Sequence, residues 1–186
     1  MTDARFEDGH EKPLNLVAQD ADELQVLSAL IQDAIFPITE MTWQAKQRRF
    51  GLLLNRFRWE EGARVQSAPE RVQSLLVIDN VLSVASQGVD RAETDMILSI
   101  LSATFEAGED GAGDIVFTLA GDGAIRLSVE AVEARLKDVS RPYKAPSKQA
   151  PKHPEQAGVG TENRQWFLNG SDGIFVRWFQ SIDATL

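Results

Sequence analysis

The most regular hydrophobic pattern in the chain follows the polar stretch Asp20-Ala21-Asp22-Glu23. An acidic residue with a Glu three positions later is a variant of the capping box that begins helices. Apolar residues then recur at helical spacing, and Pro37 follows them; they are Leu24, Leu27, Leu30, Ile31, Ala34 and Ile35. This pattern predicts an amphipathic helix that ends at Pro37.

Short apolar runs with a period of two predict strands before and after this helix. Residues 14–18 form the first. Met41 and Trp43 share one face of the next, and a polar turn at 46–48 leads into the run 49–59, so this pair predicts a hairpin. Further runs predict strands at 72–78, 81–85, 115–119 and 125–129, the last two joined by the hairpin turn Gly121-Asp122-Gly123.

Two segments leave alternatives open. Residues 94–105 alternate Met96, Leu98 and Ile100 with small residues, which favours a strand, although a buried helix has a similar composition. Residues 132–139 either extend the preceding strand or form a terminal helical turn. One helix and about seven strands predict an α+β fold built mainly on an antiparallel sheet.

The composition divides the chain into four parts. Residues 1–13 are polar and form a predicted mobile lead-in, and residues 14–140 form the domain. Residues 141–160 contain four prolines and four bases and predict an extended linker. In residues 161–186 the aromatic residues return, and the tail is predicted to form a helix with Phe175, Trp178 and Phe179 on one face.

The net charge of −9 comes from the predicted domain, since residues 14–140 carry 20 acidic and 11 basic side chains. An acidic domain repels nucleic acids and anionic lipids. The chain has no cysteine, which excludes disulfides, thiolate metal sites and cysteine nucleophiles. A secretory signal and a membrane span are also lacking, so the sequence predicts a cytoplasmic protein without a membrane span.

Residues 14 to about 150 resemble a family of small alphaproteobacterial proteins known as domain-of-unknown-function family 2948. The resemblance rests on the order of packing and turn residues along the chain: 31–34, 49–50 with 54–60, 98–106, 123–127 and 130–138. It implies a bacterial cytoplasmic protein with no known activity. Residues 157–186 lie outside the resemblance.

Catalytic chemistry has few candidates in this sequence. The two histidines, His10 and His153, fall in segments predicted to be mobile, where no rigid scaffold would hold an imidazole beside a partner. Carboxylates that could act in pairs are Glu130 with Glu133, and Glu106 with Asp138. The acidic turn at 109–114 lacks the ligand spacing of a calcium loop. We therefore predict no catalytic residue, no metal site and no cofactor.

Binding has two candidate surfaces. A basic segment at 46–59 interleaves basic and aromatic residues and could bind an acidic peptide, or pair with neighbouring acids instead; its candidate binding residues are Arg48, Arg49, Arg56, Arg58 and Trp59. The tail helix must bury its aromatic face, on its own domain, on a protein partner or on a second copy. The predicted function is a non-catalytic binding or adaptor protein, with a carboxylate-based hydrolase or lyase and a small-molecule sensor as alternatives. Nucleic acid is a disfavoured partner.

Overall fold

Helix α1 (Ala21–Ile31) begins where the capping pattern predicts it. In the computed structural model, the Asp20 carboxylate accepts a hydrogen bond of 2.8 Å from the Glu23 backbone N–H. The Glu23 carboxylate in turn accepts one of 2.7 Å from the N–H of Gln19. These bonds satisfy backbone donors that a helix start leaves free. The buried face of the helix consists of Leu24, Leu27 and Ile31.

The helix ends well before Pro37, so the predicted end is wrong. Asp33 adopts a left-handed backbone with φ of 58°, which no α-helix continues. Its N–H donates to the Ile100 carbonyl at 2.8 Å, and the Ile100 N–H donates to the Ala34 carbonyl at 2.9 Å. The chain therefore leaves the helix at Ile31 and joins the sheet. Ala34 is buried where the chain joins the sheet, and an apolar residue is equally expected on the buried face of a longer helix. Its apolar character therefore did not distinguish the two structures.

The structure describes residues 13–61, 70–90 and 92–145 and the backbone of Phe167–Leu168. Within these residues it contains more strands than the seven predicted, and every strand pair is antiparallel, as predicted. The strands are β1 (Asn15–Ala18), β2 (Ile35–Pro37), β3 (Met41–Gln44), β4 (Arg49–Phe57), β5 (Glu70–Ile78), β6 (Val81–Gln87), β7 (Ile97–Ala107), β8 (Gly113–Leu119), β9 (Ala124–Val129), β10 (Ala134–Asp138), β11 (Tyr143–Lys144) and β12 (Phe167–Leu168).

The strands form one sheet in the order β1-β10-β5-β4-β2-β7-β8-β9-β6-β12, with β3 paired to β4 and β11 paired to β5. The predicted hairpins β3–β4 and β8–β9 are confirmed. Residues 97–107 form strand β7, which settles the ambiguity at 94–105 in favour of a strand. Helix α1 packs against β7, where the Ser28 hydroxyl accepts a hydrogen bond of 2.8 Å from the Ala103 N–H.

Residues 134–138 form neither an extension of β9 nor a helical turn. Strand β10 instead lies between β1 and β5, at the other side of the sheet from β9. The turn between them is held by backbone bonds to the bend after β5: the Glu130 N–H donates to the Asn80 carbonyl, and the Asp79 N–H donates to the Glu133 carbonyl. The two alternatives drawn from the sequence at 132–139 are therefore both wrong.

The hydrophobic core lies under helix α1 and along one face of the strands. Its largest fully buried members are Phe36, Phe50, Phe117, Leu24, Leu27, Ile31, Leu52, Leu54, Leu76, Ile78 and Ile100. The sheet continues beyond Ser140, the predicted end of the domain, because Tyr143 and Lys144 pair with Arg71 and Glu70 of β5. Most of the predicted lead-in at 1–13, most of the predicted linker at 141–160 and the predicted tail helix lie outside the described residues. Among the described residues, no helix has the length and apolar character to cross a membrane.

Candidate functional site

The most unusual side chain on the core face of the sheet is that of Arg56. Phe50, Leu52 and Leu54 of β4 point into the core, and the next residue on the same face is Arg56. Its side chain is 0% exposed, and it is among the largest fully buried side chains described. Because an unpaired buried charge is very costly, such a guanidinium requires anionic partners inside the protein.

Asp138 of β10 is the first partner. Its carboxylate accepts from Arg56 Nε at Oδ1 (3.1 Å) and from Arg56 Nη2 at Oδ2 (3.0 Å), which is the two-pronged geometry of a strong arginine–carboxylate pair. Asp138 Oδ1 also accepts from the Ser74 hydroxyl at 2.6 Å, and Oδ2 accepts from the Leu14 backbone N–H at 3.1 Å. Strands β4, β5 and β10 and the entry to β1 thus meet at this carboxylate.

Glu60 is the second partner. It lies in the short turn of 3₁₀ helix Trp59–Glu61 that follows β4, and its two carboxylate oxygens accept from Arg56 Nη1 at 2.8 Å and Nη2 at 2.7 Å. Arg56 Nη1 also donates to the Phe57 carbonyl at 3.2 Å, and Nε donates to Ser74 Oγ at 3.1 Å. We call Arg56, Ser74, Asp138 and Glu60 the Arg56 cluster.

Burial and charge act in opposite directions on this cluster. Burial alone would raise the pKa of the Glu60 carboxyl, but the hydrogen bonds and charge of Arg56 outweigh it and hold that pKa below the usual value. Burial would likewise lower the pKa of Arg56, yet Glu60 and Asp138 outweigh that effect and raise it. The pairing of Arg56 with Glu60 therefore favours the charged form of both groups, and one guanidinium bonds to two carboxylates.

The other arginines of the basic segment differ in their exposure and in their ion-pair partners. Arg48 is about half exposed and forms a 2.7 Å ion pair with Glu130, which is exposed to the same degree. Arg49 Nε donates to Asp79 at 2.7 Å with both side chains mostly buried. The Arg58 side chain is only 7% exposed and pairs with Glu70 at 2.9 Å. Among the predicted binding residues of this segment, Arg48 is thus the exposed one, while Arg56 lies inside the protein.

Aromatic residues enclose the end of β4 beside the cluster. Trp59 Nε1 donates to the Gln32 carbonyl at 2.9 Å, at the C-terminal end of α1, and the Trp59 and Phe57 rings lie 5.1 Å apart. The Arg71 guanidinium carbon lies 3.8 Å above the Phe57 ring, a cation–π contact. Burial lowers the pKa of Arg71 from its usual value. Trp59 is therefore held by the domain itself, at the junction of α1 and β4.

The candidate carboxylates are engaged in separate contacts. Glu130 pairs with Arg48, Glu133 accepts from the Asn80 side-chain amide at 2.9 Å, and Asp138 belongs to the Arg56 cluster. Glu106 is exposed on β7, opposite Asp114 of β8. The structure thus gives each predicted acid a structural partner or an exposed position. Among the described residues, no group of three or more potential metal-ligating side chains comes together, and both histidines lie outside them.

Sequence reasoning missed Ser74 and Arg71 as members of this region. Ser74 lies between Val72 and Leu76 on the core face of β5, and a polar residue in that position is a weak signal for a buried polar contact. The alternation along β4 placed Arg56 on the face of Phe50 and Leu54, and that face is the core. Its partner Asp138 is 82 residues away along the chain.

One sheet edge carries a strand from the C-terminal part of the chain. Phe167 and Leu168 form β12 and pair antiparallel with Ser86 and Ala85 of β6, the strand that otherwise ends the described sheet on this side. The tail aromatic residues predicted to bind, Phe175, Trp178 and Phe179, lie outside the described residues. The edge of β6 is thus the place where the described domain contacts the C-terminal segment.

Comparison with known proteins gives a family and no relative of known activity. A family model described as "Protein of unknown function (DUF2948)" matches residues 14–153, about three quarters of the chain. No curated protein and no solved structure matches the sequence or the fold.

Proposed function

Because the chain belongs to the DUF2948 family, whose function is unknown, we propose its role from its geometry: it is a non-catalytic protein-binding or adaptor protein that contacts a partner through its C-terminal segment. The observation that carries this proposal is the pairing of Phe167–Leu168 with β6. This pairing holds the start of the aromatic tail against the domain. Residues 169–186, with the predicted contacts Phe175, Trp178 and Phe179, follow directly in the chain.

The pairing of charged side chains within the domain supports a non-catalytic role. A general acid or base must reach a substrate proton with its carboxyl group. Asp138 uses both of its oxygens for Arg56, Ser74 and the Leu14 N–H, and Glu130 and Glu133 bond to Arg48 and Asn80. These contacts favour structural roles for the carboxylates over the alternative of a hydrolase or lyase.

The basic segment supports the proposal mainly through Arg48. Arg48 lies at the surface, and an acidic partner could replace Glu130 in its exposed ion pair at small cost, since exposed pairs contribute about 0–1 kcal/mol. Arg49, Arg58 and Trp59 are partly covered and bonded within the domain. We assign Arg56 to the interior of the binding domain, where it supports the end of β4 that leads into the turn containing Trp59.

Affinity capture with matched variants tests the proposal. The full chain is compared with the double variant Trp178→Ala/Phe179→Ala and with the control Gln180→Ala/Ser181→Ala, which changes the opposite face of the predicted helix. We expect a partner that the full chain and the control recover and the aromatic variant loses. That partner must then bind the purified full chain in calorimetry. Equal recovery by all three proteins contradicts the role of the tail.

A further inference from the structure

We infer that the edge of β6 is a strand-docking site whose ligand is the strand Phe167–Leu168 of the same chain. The inference deepens the proposed function, on which it rests, because it identifies where the tail is held. A strand at the edge of a sheet presents unpaired backbone N–H and carbonyl groups, and an added strand binds by completing the ladder.

The two halves of β6 differ in their capacity to accept a strand. At the beginning of β6, the Val81 N–H is already bonded to the Arg48 carbonyl at 2.8 Å. The pairing with β9 shifts register between Val81 and Ser83, and Leu82 is 47% exposed at this irregularity. A bulge of this kind bends the strand and disrupts the ladder, so this half is a poor template for another strand.

The second half of β6 is regular. Residues 83–87 pair with β9 without a further shift, and Phe167 and Leu168 dock on this part, opposite Ser86 and Ala85. Phe167 and Leu168 therefore pair with the part of β6 whose register with β9 is regular. The location of the contact follows from the backbone of β6 rather than from the sequence of the tail alone.

The burial of Ala85 provides a separate observation. Ala85 pairs with Arg126 of β9 and lies on the face opposite to the core residue Val84, yet it is only 3% exposed. Residues on the outer face and edge of a sheet normally contact water. The low exposure of Ala85 agrees with a second half of the β6 edge that is covered by the added strand.

The length of the chain favours docking within one molecule. Residues 146–166 lie between Ala145 and Phe167, and a connection of 21 residues can reach up to about 70 Å, which exceeds the diameter of a domain of this size. An attached segment has an effective concentration of about 1 mM or more when its connection spans the distance. A two-residue ladder contributes few hydrogen bonds, so a peptide of the same sequence should exchange with the attached strand.

Hydrogen exchange on the full chain tests the inference. Leu168→Pro removes a backbone donor and opposes strand addition, whereas Ala157→Pro adds a proline to the same part of the chain away from the paired residues. We expect the amides of residues 83–87 to exchange at least about tenfold faster in Leu168→Pro and at the original rate in Ala157→Pro. Unchanged exchange in β8 serves as the check that the domain remains folded.

Peptide rescue completes the test. A synthetic peptide of residues 162–173 added to the Leu168→Pro protein should restore slow exchange at 83–87, and the same peptide with the Leu168→Pro change should not. Unaltered exchange in Leu168→Pro, or faster exchange that the peptide fails to restore, overturns the docking site. Protection of the wild-type edge that rises with protein concentration assigns the strand to a second copy and overturns docking in the same chain. The two proposals can fail separately. If Trp178→Ala/Phe179→Ala loses the partner while residues 83–87 exchange at the wild-type rate, partner binding depends on the aromatic residues and strand docking does not.

Discussion

The guanidinium of Arg56 and the carboxylate of Asp138 form a two-pronged ion pair across strand β5, with Nε and Nη2 at 3.1 and 3.0 Å from the two oxygens. Arg56 is on β4 and Asp138 on β10, and β5 lies between these strands. Ser74 of β5 completes the contact by donating to Asp138 and accepting from Arg56. One polar cluster therefore links three neighbouring strands on the core face.

Replacing Arg56 should be strongly destabilising. Arg56→Gln leaves the Asp138 carboxylate buried without its cation, and breaking a buried pair in this way costs about 3–5 kcal/mol. The matched control is Arg48→Gln, which removes an ion pair with both side chains about half exposed and should cost about 0–1 kcal/mol. Urea unfolding of both variants measures the free energies. Similar losses in the two variants would contradict the structural importance of the Arg56 cluster.

Glu60 should make stability depend on acid pH. Its usual pKa is 4.5, and the ion pair with Arg56 outweighs burial and lowers the pKa in the folded protein. The stabilisation is fully present above about pH 4.5 and is lost as the pH falls through the lower, folded pKa. In Glu60→Gln, which is always neutral, this contribution is missing. Urea midpoints of wild type and Glu60→Gln should therefore differ at neutral pH and converge below about pH 4.5; a constant difference across this range would contradict the prediction.

The arrangement of the Arg56 cluster shows what one sequence can and cannot predict. Alternation along β4 placed Arg56 on the same face as Phe50 and Leu54, which is the buried face. Its charge favoured a surface position because one of its two compensating carboxylates is distant in the chain. Glu60 is four residues away, but Asp138 joins the cluster through the pairing of β10 with β5. That pairing is a property of the sheet order, which hydrophobic periodicity does not specify.

Local signals predicted the secondary structure better than the strand order. The helix start at Asp20 and the hairpin turn at Asp122 depend on neighbouring residues, and the structure confirms both, with left-handed backbone at Asp122. The helix end was wrong because Asp33 bonds to Ile100, a contact with a distant strand. The tail predictions concern residues outside those described, apart from the pairing of Phe167–Leu168.

Gly113 should be essential for the close approach of β7 and β8. It begins β8 opposite Ala107, and a Cβ atom there would overlap the Glu106 carbonyl oxygen and lie 2.7 Å from the Phe105 ring. Gly113→Ala should therefore lower the free energy of unfolding by about 1–3 kcal/mol through overpacking.

The control lies in the same hairpin. Gly111 has a positive φ of 84°, and nothing lies within 4 Å of a Cβ atom built there. Asn tolerates left-handed backbone better than other residues with a side chain. Gly111→Asn should thus cost less than Gly113→Ala, since it meets conformational strain without a steric clash. Urea unfolding of the two variants and wild type measures the free energies of unfolding. If Gly111→Asn loses as much stability as Gly113→Ala, or more, the backbone conformation of the turn matters more to the stability of this hairpin than the contact of residue 113 with Glu106 and Phe105.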